Sequence, residues 1–379
     1  MAESLYIKNL GPIKEVDLAN IPAFTVLVGE SGSGKSTAMK VLSMFRWIYK
    51  RVVLRSYVRQ ANIKKTGIGI QMKTLMKSSG IFEFVKPSTE IIYKREGYEI
   101  SYKNKKLNAQ ADVSSENLSL EKICFISDKR AIISDFQEDK IERRLSNYYL
   151  QDTMNNFLAA AKEVKSLPID FLNVSFNVTK SANGTKYEIK GEGEDNYTIK
   201  LRNASSGTQT VVPLCMIVEY YAKHFDPKKS MDSSLFQYLS DNDKLTDFNT
   251  AKNIGDIHSK NVHILIEEPE LSLNPISQNA LLDYLITNCF RQEKSYNMSL
   301  MLATHSPYIV NYINLLMQRC HLADREGVVY LNPSMVEVYH IEDGYAYPLK
   351  SDSDNPVIDS RLMSDPISDI YTEYNDIRI

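Results

Sequence analysis

Only four cysteines occur in 379 residues, at Cys124, Cys215, Cys289 and Cys320, and no two of them stand in C-x-x-C spacing. Each sits in an apolar stretch. That argues for buried thiols in a reducing compartment and against a disulfide framework or a cysteine zinc site. No apolar run approaches the roughly 18 residues of a membrane-spanning helix, and the first residues carry no signal-peptide pattern. A cytoplasmic protein without a membrane partner is expected. Excess charge of either sign is missing too: 45 Lys and Arg against 47 Asp and Glu leave a formal −2. With no global basic footprint, nucleic-acid binding would need a local patch. The chain has no internal repeat and no low-complexity tract, and 43% hydrophobic with 24% charged residues is ordinary for a globular chain of this length.

Glycine is sparse, 15 in all, yet Gly29, Gly32 and Gly34 crowd into the stretch GESGSGKST, Gly29 to Thr37. The apolar run FTVLV precedes it and a long helical pattern follows, which is the context that gives G-x-x-x-x-G-K-[ST] its meaning. The glycines let successive backbone N–H groups of Gly29, Glu30, Ser31, Gly32, Ser33 and Gly34 point inward at phosphate oxygens. Lys35 is expected to reach the β and γ phosphates and Ser36 to place its hydroxyl on Mg²⁺. Thr37 opens a helix whose N-terminus favours the same anion. ATP and Mg²⁺ are therefore the expected cofactors.

Three further elements follow in order. ILIEEPELSLNP, Ile264 to Pro275, is an apolar strand ending in two acids. We assign Glu267 to the metal and Glu268 to the attacking water. SLMLATHSPYIV delivers His305 to the C-terminal edge of another strand, where ligands of parallel α/β sheets bind, and where it would sense the γ phosphate. NASSGTQT, Asn203 to Thr210, opens a helix with small residues. Its N-terminus is either a second anion site or ordinary capping. One triphosphate rarely needs two such sites in one chain, so Ser206 and Gly207 would close over the nucleotide of a second subunit.

Along the chain, SLYIKN, KEVDLAN and FTVLV read as strands, and the helix from Lys35 runs to about Val58. Residues 60–88 are basic and poorly patterned, and TEIIYKREGYEISYK is a hairpin turning at Glu96 and Gly97. ICFIS is a short strand ending at Asp128, Lys129 and Arg130, a cluster that is either part of the site or a solvated loop. A helix over 137–165 precedes an Asn183-Gly184 hairpin, and another helix runs from Ser206 to about His224. Residues 226–261 read as a loop-rich insertion, with Leu235, Phe236, Tyr238 and Leu239 as a docking surface or a plain surface loop. Alternating strands and helices resume through NVHILIEE, SLMLAT and GVVYL, then two strands over 336–349 and a short helix.

The four elements in this order resemble the ABC-type ATPase head of the RecF, SMC and OLD-like branch (AAA_15/AAA_21-like). IEEPELSLNP is similar to its EEPEAHLHP form and LATHSPYIV to its TTHSPYIL form, while SSGTQ stands where transporters have LSGGQ. The resemblance implies an α/β fold: an ABC ATPase head with a RecA-like P-loop core, an antiparallel β subdomain and a helical insertion at 60–165. It implies one ATPase domain over 1–379 that hydrolyses ATP to ADP and phosphate, with 60–165 as a helical and β insertion region and 226–261 as the loop-rich insertion, and a head-to-tail homodimer with two ATP molecules at composite sites. A Q-loop glutamine is also implied, with Gln60 and Gln71 as candidates. About 170 residues separate Lys35 from Ser206, too few for a long coiled-coil arm. Roughly 65 residues follow the His305 helix, and Asp352 and Asp354 lack the preceding strand of a TOPRIM nuclease, so no intrinsic nuclease is expected. A compact head of this kind resembles the ATPase subunits of anti-phage systems such as Septu or PARIS. There a separately encoded nuclease or toxin is the effector and higher oligomers are open. The alternative is a RecF-like repair clamp binding duplex DNA through Arg55, Arg59, Lys64, Lys65 and Lys73. An importer subunit is disfavoured by the EEPE and THSP forms.

Overall fold

The computed structural model describes residues 2–60, 69–109, 111–135, 147–181, 184–193, 196–241, 257, 259–351, 353 and 356–377. Strands β1 (Glu3–Leu10), β2 (Ile13–Leu18) and β3 (Phe24–Val28) lead into helix α1 (Lys35–Gln60). A short helix α2 (Met72–Ser78) precedes the meander β4 (Val85–Arg95), β5 (Tyr98–Lys103) and β6 (Lys106–Asn108), then β7 (Ser119–Ile126) and α3 (Tyr148–Glu163). Next come β8 (Ser166–Ile169), β9 (Val174–Ser181), β10 (Gly184–Gly191) and β11 (Thr198–Lys200), followed by α4 (Ser206–Glu219) and α5 (Pro227–Asp241). The core resumes with β12 (Ser259–Glu267), α6 (Pro275–Phe290), β13 (Asn297–Thr304) and α7 (Pro307–Gln318). It ends with β14 (Val336–Glu342), β15 (Tyr345–Pro348) and α8 (Arg361–Ile377).

Eleven strands make one mixed sheet in the order β6-β5-β4-β1-β2-β15-β14-β3-β13-β12-β7. The segment β14-β3-β13-β12-β7 is parallel throughout. The expected antiparallel subdomain is present as β1, β2 and β4 to β6, continuous with the core. Strands buried on both faces read as near-continuous apolar runs. In β12, Val262, Ile264 and Ile266 enter the core under α4 and α6, and Leu265 enters the opposite core under α1. The separate antiparallel sheet β11-β10-β9-β8 closes the first core.

Two expectations need correction, and a third is described only in part. The first half of the supposed loop-rich insertion is α5, started by the Asp226 carboxylate accepting from the N–H of Lys228 and Lys229. Its Leu235 is buried at 4% exposure and is core, whereas Phe236 is 62% exposed. The side chains of Tyr238 and Leu239, and residues 242–256, lie outside the described part. GVVYL is no strand: the place beside β3 is taken by β14, and Leu331 instead donates its N–H to the Leu316 carbonyl at 3.0 Å. The helix expected over 137–165 begins at Tyr148 in the described residues, capped by Asn147. Ile141, Leu145 and Asn183 lie outside them.

A buried charge network crosses the sheet below the site. Arg46 donates to both Glu3 oxygens at 2.8 and 2.6 Å. Arg95 pairs with Glu121 at 3.1 Å, and Glu121 meets the His263 Nε2 at 2.7 Å. Burial, with Arg46 next, holds the His263 imidazole down at about 4. Burial acts to raise the Glu3 carboxyl, but Arg46 and Arg95 outweigh it and hold that group well below the carboxylate range. Both groups bind protons less readily folded than unfolded, so their stabilisation is present above the unfolded values and is lost as pH falls. For His263 that window opens below 6.5 and runs to about 4. The urea midpoint is expected to fall between pH 7 and pH 5, and His263→Gln to flatten that fall. A midpoint unchanged over this range would show the network to be pH-inert.

Candidate functional site

Register brings the separate motifs to one edge. Val28 is level with Thr304, Glu267 with Ala303, and Ile266 with Ile126. The residues just beyond, Gly29, Glu268, His305 and Asp128, therefore leave the C-terminal ends of adjacent strands, where a parallel sheet binds ligands.

The cradle has the backbone that its glycines permit. Gly29, Gly32 and Gly34 have φ of 144°, 81° and 113°, in the region that favours glycine. At Gly29 a Cβ would lie 2.2 Å from the Ile341 carbonyl, so β14 enforces that glycine by close approach. The Ser33 hydroxyl is buried with no hydrogen-bond partner, as suits a group awaiting an anion. Lys35 is 5% exposed and folds back to donate to the Gly29 and Glu30 carbonyls at 2.8 and 2.7 Å. Burial pulls its pKa down to about 8, against Glu268, Glu270 and Glu30.

Glu267 is 3% exposed, and its Oε1 has no hydrogen-bond partner. Lys40 Nζ lies 3.6 Å from that oxygen. Burial raises the carboxyl pKa, while Lys40, the Ser36 hydroxyl and the Asp128 N–H oppose and the Asp128 charge adds to the rise. An orphaned buried oxygen beside the Ser36 hydroxyl fits a divalent cation, and these oxygen donors suit Mg²⁺. Glu268 is half-exposed with φ of 44°, a conformation costly for a residue with a side chain and typical of functional turns. Its Oε1 stands 3.7 Å from His305 Nε2, so the pair faces one space above the cradle.

Two residues not assigned from sequence complete the site. Glu270 Oε1 accepts from the Thr304 hydroxyl at 2.7 Å and the His305 N–H at 2.8 Å, fixing the turn that presents His305. Its signal was the third acid of EEPE. Arg130, 0% exposed, reaches five backbone carbonyls around the acidic turn, so of the charged cluster after β7 it is a buried strut and not a solvated charge.

At α4 the capping falls to the residue before Ser206. Ser205 is the N-cap, accepting from the Thr208 N–H at 3.3 Å, while Ser206 at the first helical position is exposed. Gly207 packs against the turn after β12: a Cβ there would meet the Ser272 carbonyl at 2.9 Å. Among the described residues, no hydrogen bond joins 203–208 to 29–37. Neither candidate glutamine is brought to the site. Gln60 donates to the Val113 carbonyl at 3.3 Å, and Gln71 accepts from Thr74 at 3.2 Å. The position beside Glu267 is held by Asp128.

A glycine-bent phosphate cradle, an acidic strand and a histidine turn on one parallel edge define a P-loop nucleoside triphosphatase. The family model described as AAA ATPase domain (AAA_15) matches residues 49–310, more than half of the chain, and the protein belongs to that family. No curated protein matches the sequence. Similar solved structures include the SMC head bound to the C-winged helix domain of ScpA: 12% identical, covering 95% of this chain and 98% of that one, TM-score 0.40. The SMC head domain from Thermotoga maritima is 12% identical over 93% and 100%, TM-score 0.36. The recombination mediator RecF with ATP is 11% identical over 91% and 96%, TM-score 0.38. Likeness at this level says nothing of function.

Proposed function

We propose that the protein is a regulatory ATPase that dimerises head to tail around two ATP molecules and controls a separately encoded nuclease or toxin in anti-phage defence. The observation that carries the dimer is Ser206: exposed at a helix N-terminus already capped by Ser205, and not engaged with its own cradle. Such an N-terminus suits the γ phosphate held by a partner's Lys35. Apolar Ile276, 81% exposed, and Tyr308, 48% exposed, open the helices that leave this same edge and suit burial in the dimer. The effector and the defence role rest on the resemblance of a compact head of this kind to the ATPase subunits of anti-phage systems.

In this reading Lys35 leaves the two loop carbonyls for the β and γ phosphates. A Mg²⁺ ion held by Ser36 and Glu267 would neutralise charge on the phosphate oxygens. Glu268 orients the attacking water and takes its proton. His305, held by Glu270, hydrogen-bonds the γ phosphate. Loss of that phosphate removes the group that both subunits share, and so shifts the dimer toward release.

A second reading, a clamp on duplex DNA, draws on an exposed cluster in which Lys73 and Lys77 lie 5.8 and 5.4 Å from the Phe82 ring. Exposed lysines of this kind suit the phosphates of a duplex. Of the other basic residues named for it, Arg59 pairs with Asp112 at 2.7 Å and Arg55 donates to the Ala109 carbonyl. Lys64 and Lys65 lie outside the described residues.

The test is the mass of the complex isolated from the native host as Glu268→Gln, with Lys35→Ala as control. A stoichiometric effector bound to the first variant alone supports the defence reading, and a dimer with DNA supports the clamp. In purified Glu268→Gln protein, saturating ATP should give a dimer that Ser206→Arg abolishes. A monomer before that substitution overturns the composite site.

A further inference from the structure

We propose that Arg130 is a positioning residue that couples the two ATP sites of the dimer, an inference that rests on the head-to-tail reading above. Its guanidinium donates from Nη1 to the carbonyl of Glu267 at 2.8 Å and from Nη2 to those of Glu268 and Pro269 at 2.6 and 3.4 Å. From Nε it donates to the Thr210 carbonyl inside α4 at 3.0 Å, and from Nη1 to Ser127 at 3.3 Å. Three segments thus meet on one rigid planar group: the turn after β7, the acidic turn and the helix that begins with Ser206. Thr210 adds a second tie, its hydroxyl lying 2.9 Å from the Leu271 and Gly207 carbonyls, and Gly207 sits against Ser272.

The fork geometry is specific to arginine. An ammonium on a flexible stem can reach one or two of these carbonyls, but it cannot hold all of them in fixed directions. Burial lowers the Arg130 pKa to about 10, so it stays charged at neutral pH and held by carbonyl dipoles.

Each chain then contains two half-sites fixed to each other. Glu267 and Glu268 act on the nucleotide in the chain's own cradle, and Ser206 acts on the nucleotide of the partner. A γ phosphate that draws Ser206 inward pulls on α4, and through Thr210 and Arg130 it sets the main chain carrying Glu268. Occupancy of one site is thereby read at the other as a coupling free energy.

The experiment compares wild type, Arg130→Lys and Thr210→Val. Readouts are ATP-dependent phosphate release, equilibrium binding of a fluorescent ATP analogue to the free protein, and ATP-dependent dimer mass in the Glu268→Gln background. Wild type should hydrolyse with a Hill coefficient of about 2, falling to about 1 in Arg130→Lys. Turnover in Arg130→Lys should fall by roughly tenfold or more, with nucleotide affinity changed less than about twofold. Thr210→Val, which leaves the guanidinium in place, should lower the Hill coefficient in the same direction, and it keeps the test open if Arg130→Lys does not fold. A dimer whose wild-type Hill coefficient is one overturns the coupling, and so do variants that keep wild-type turnover and cooperativity. Loss of nucleotide affinity in step with turnover overturns it as well, because that is what a purely structural role gives. A Glu268→Gln protein that stays monomeric with saturating ATP overturns the dimer itself.

Discussion

Glu268→Gln is expected to bind ATP still, while steady-state turnover falls by about 10²–10⁴-fold, the usual worth of a positioned general base. The substitution keeps size and hydrogen bonding at a turn whose backbone is already committed. The residue sits at φ of 44°, and its N–H is held by the Ala303 carbonyl at 2.8 Å. What is lost is the charge that would take the proton of the attacking water, so kcat should fall while KM stays within about threefold. Single-turnover phosphate release and equilibrium ATP binding separate the two. Turnover within about fivefold of wild type would move the base to another group, and Glu270 would be the next carboxylate to replace.

Lys35→Ala should lose nucleotide affinity by about 100-fold or more. The group removed is a desolvated cation whose hydrogen-bond partners among the described residues are two loop carbonyls, and charge-assisted bonds to phosphate are roughly twice as strong as neutral ones. The same lysine sets a pH dependence. Burial places it at about 8 in the free protein, and a bound phosphate raises that value, because a nearby anion favours the charged form. Affinity is therefore full below about 8 and declines as pH rises through that value. Equilibrium binding from pH 7 to pH 9.5 reads this directly. A flat profile in wild type, or Lys35→Ala binding within about fivefold, would remove Lys35 from the phosphate site.

Much of the fold was legible because strands buried on both faces leave continuous apolar runs. ILIE, LMLA and TVLV mark β12, β13 and β3 without reference to one another. GVVYL carries the same local signal and is not a strand, since a short apolar run does not say whether a sheet position remains for it. Helix α5 carries the weaker signal: Met231, Leu235, Tyr238 and Leu239 stand at helical spacing, but in a segment so polar that it also reads as a surface loop. That the antiparallel strands continue the parallel core follows from pairings of β14 and β15 with β3 and β2, which no local pattern encodes.

The sequence by itself determined the cradle, the acidic strand, the histidine turn and the Ser206 helix start. Each is a contiguous device whose glycines, acids and caps act on neighbours a few residues away. Only the tertiary structure decided that Arg130 is a strut, that Glu270 holds His305, that Ser205 caps and leaves Ser206 exposed, and that neither Gln60 nor Gln71 reaches the site. The reason lies in the acceptors. Arg130 meets carbonyls 137 and 138 positions away at Glu267 and Glu268, and every residue has a carbonyl. A side chain that binds the main chain therefore leaves no mark at the other end of the bond, and only the folded register selects which carbonyls it finds.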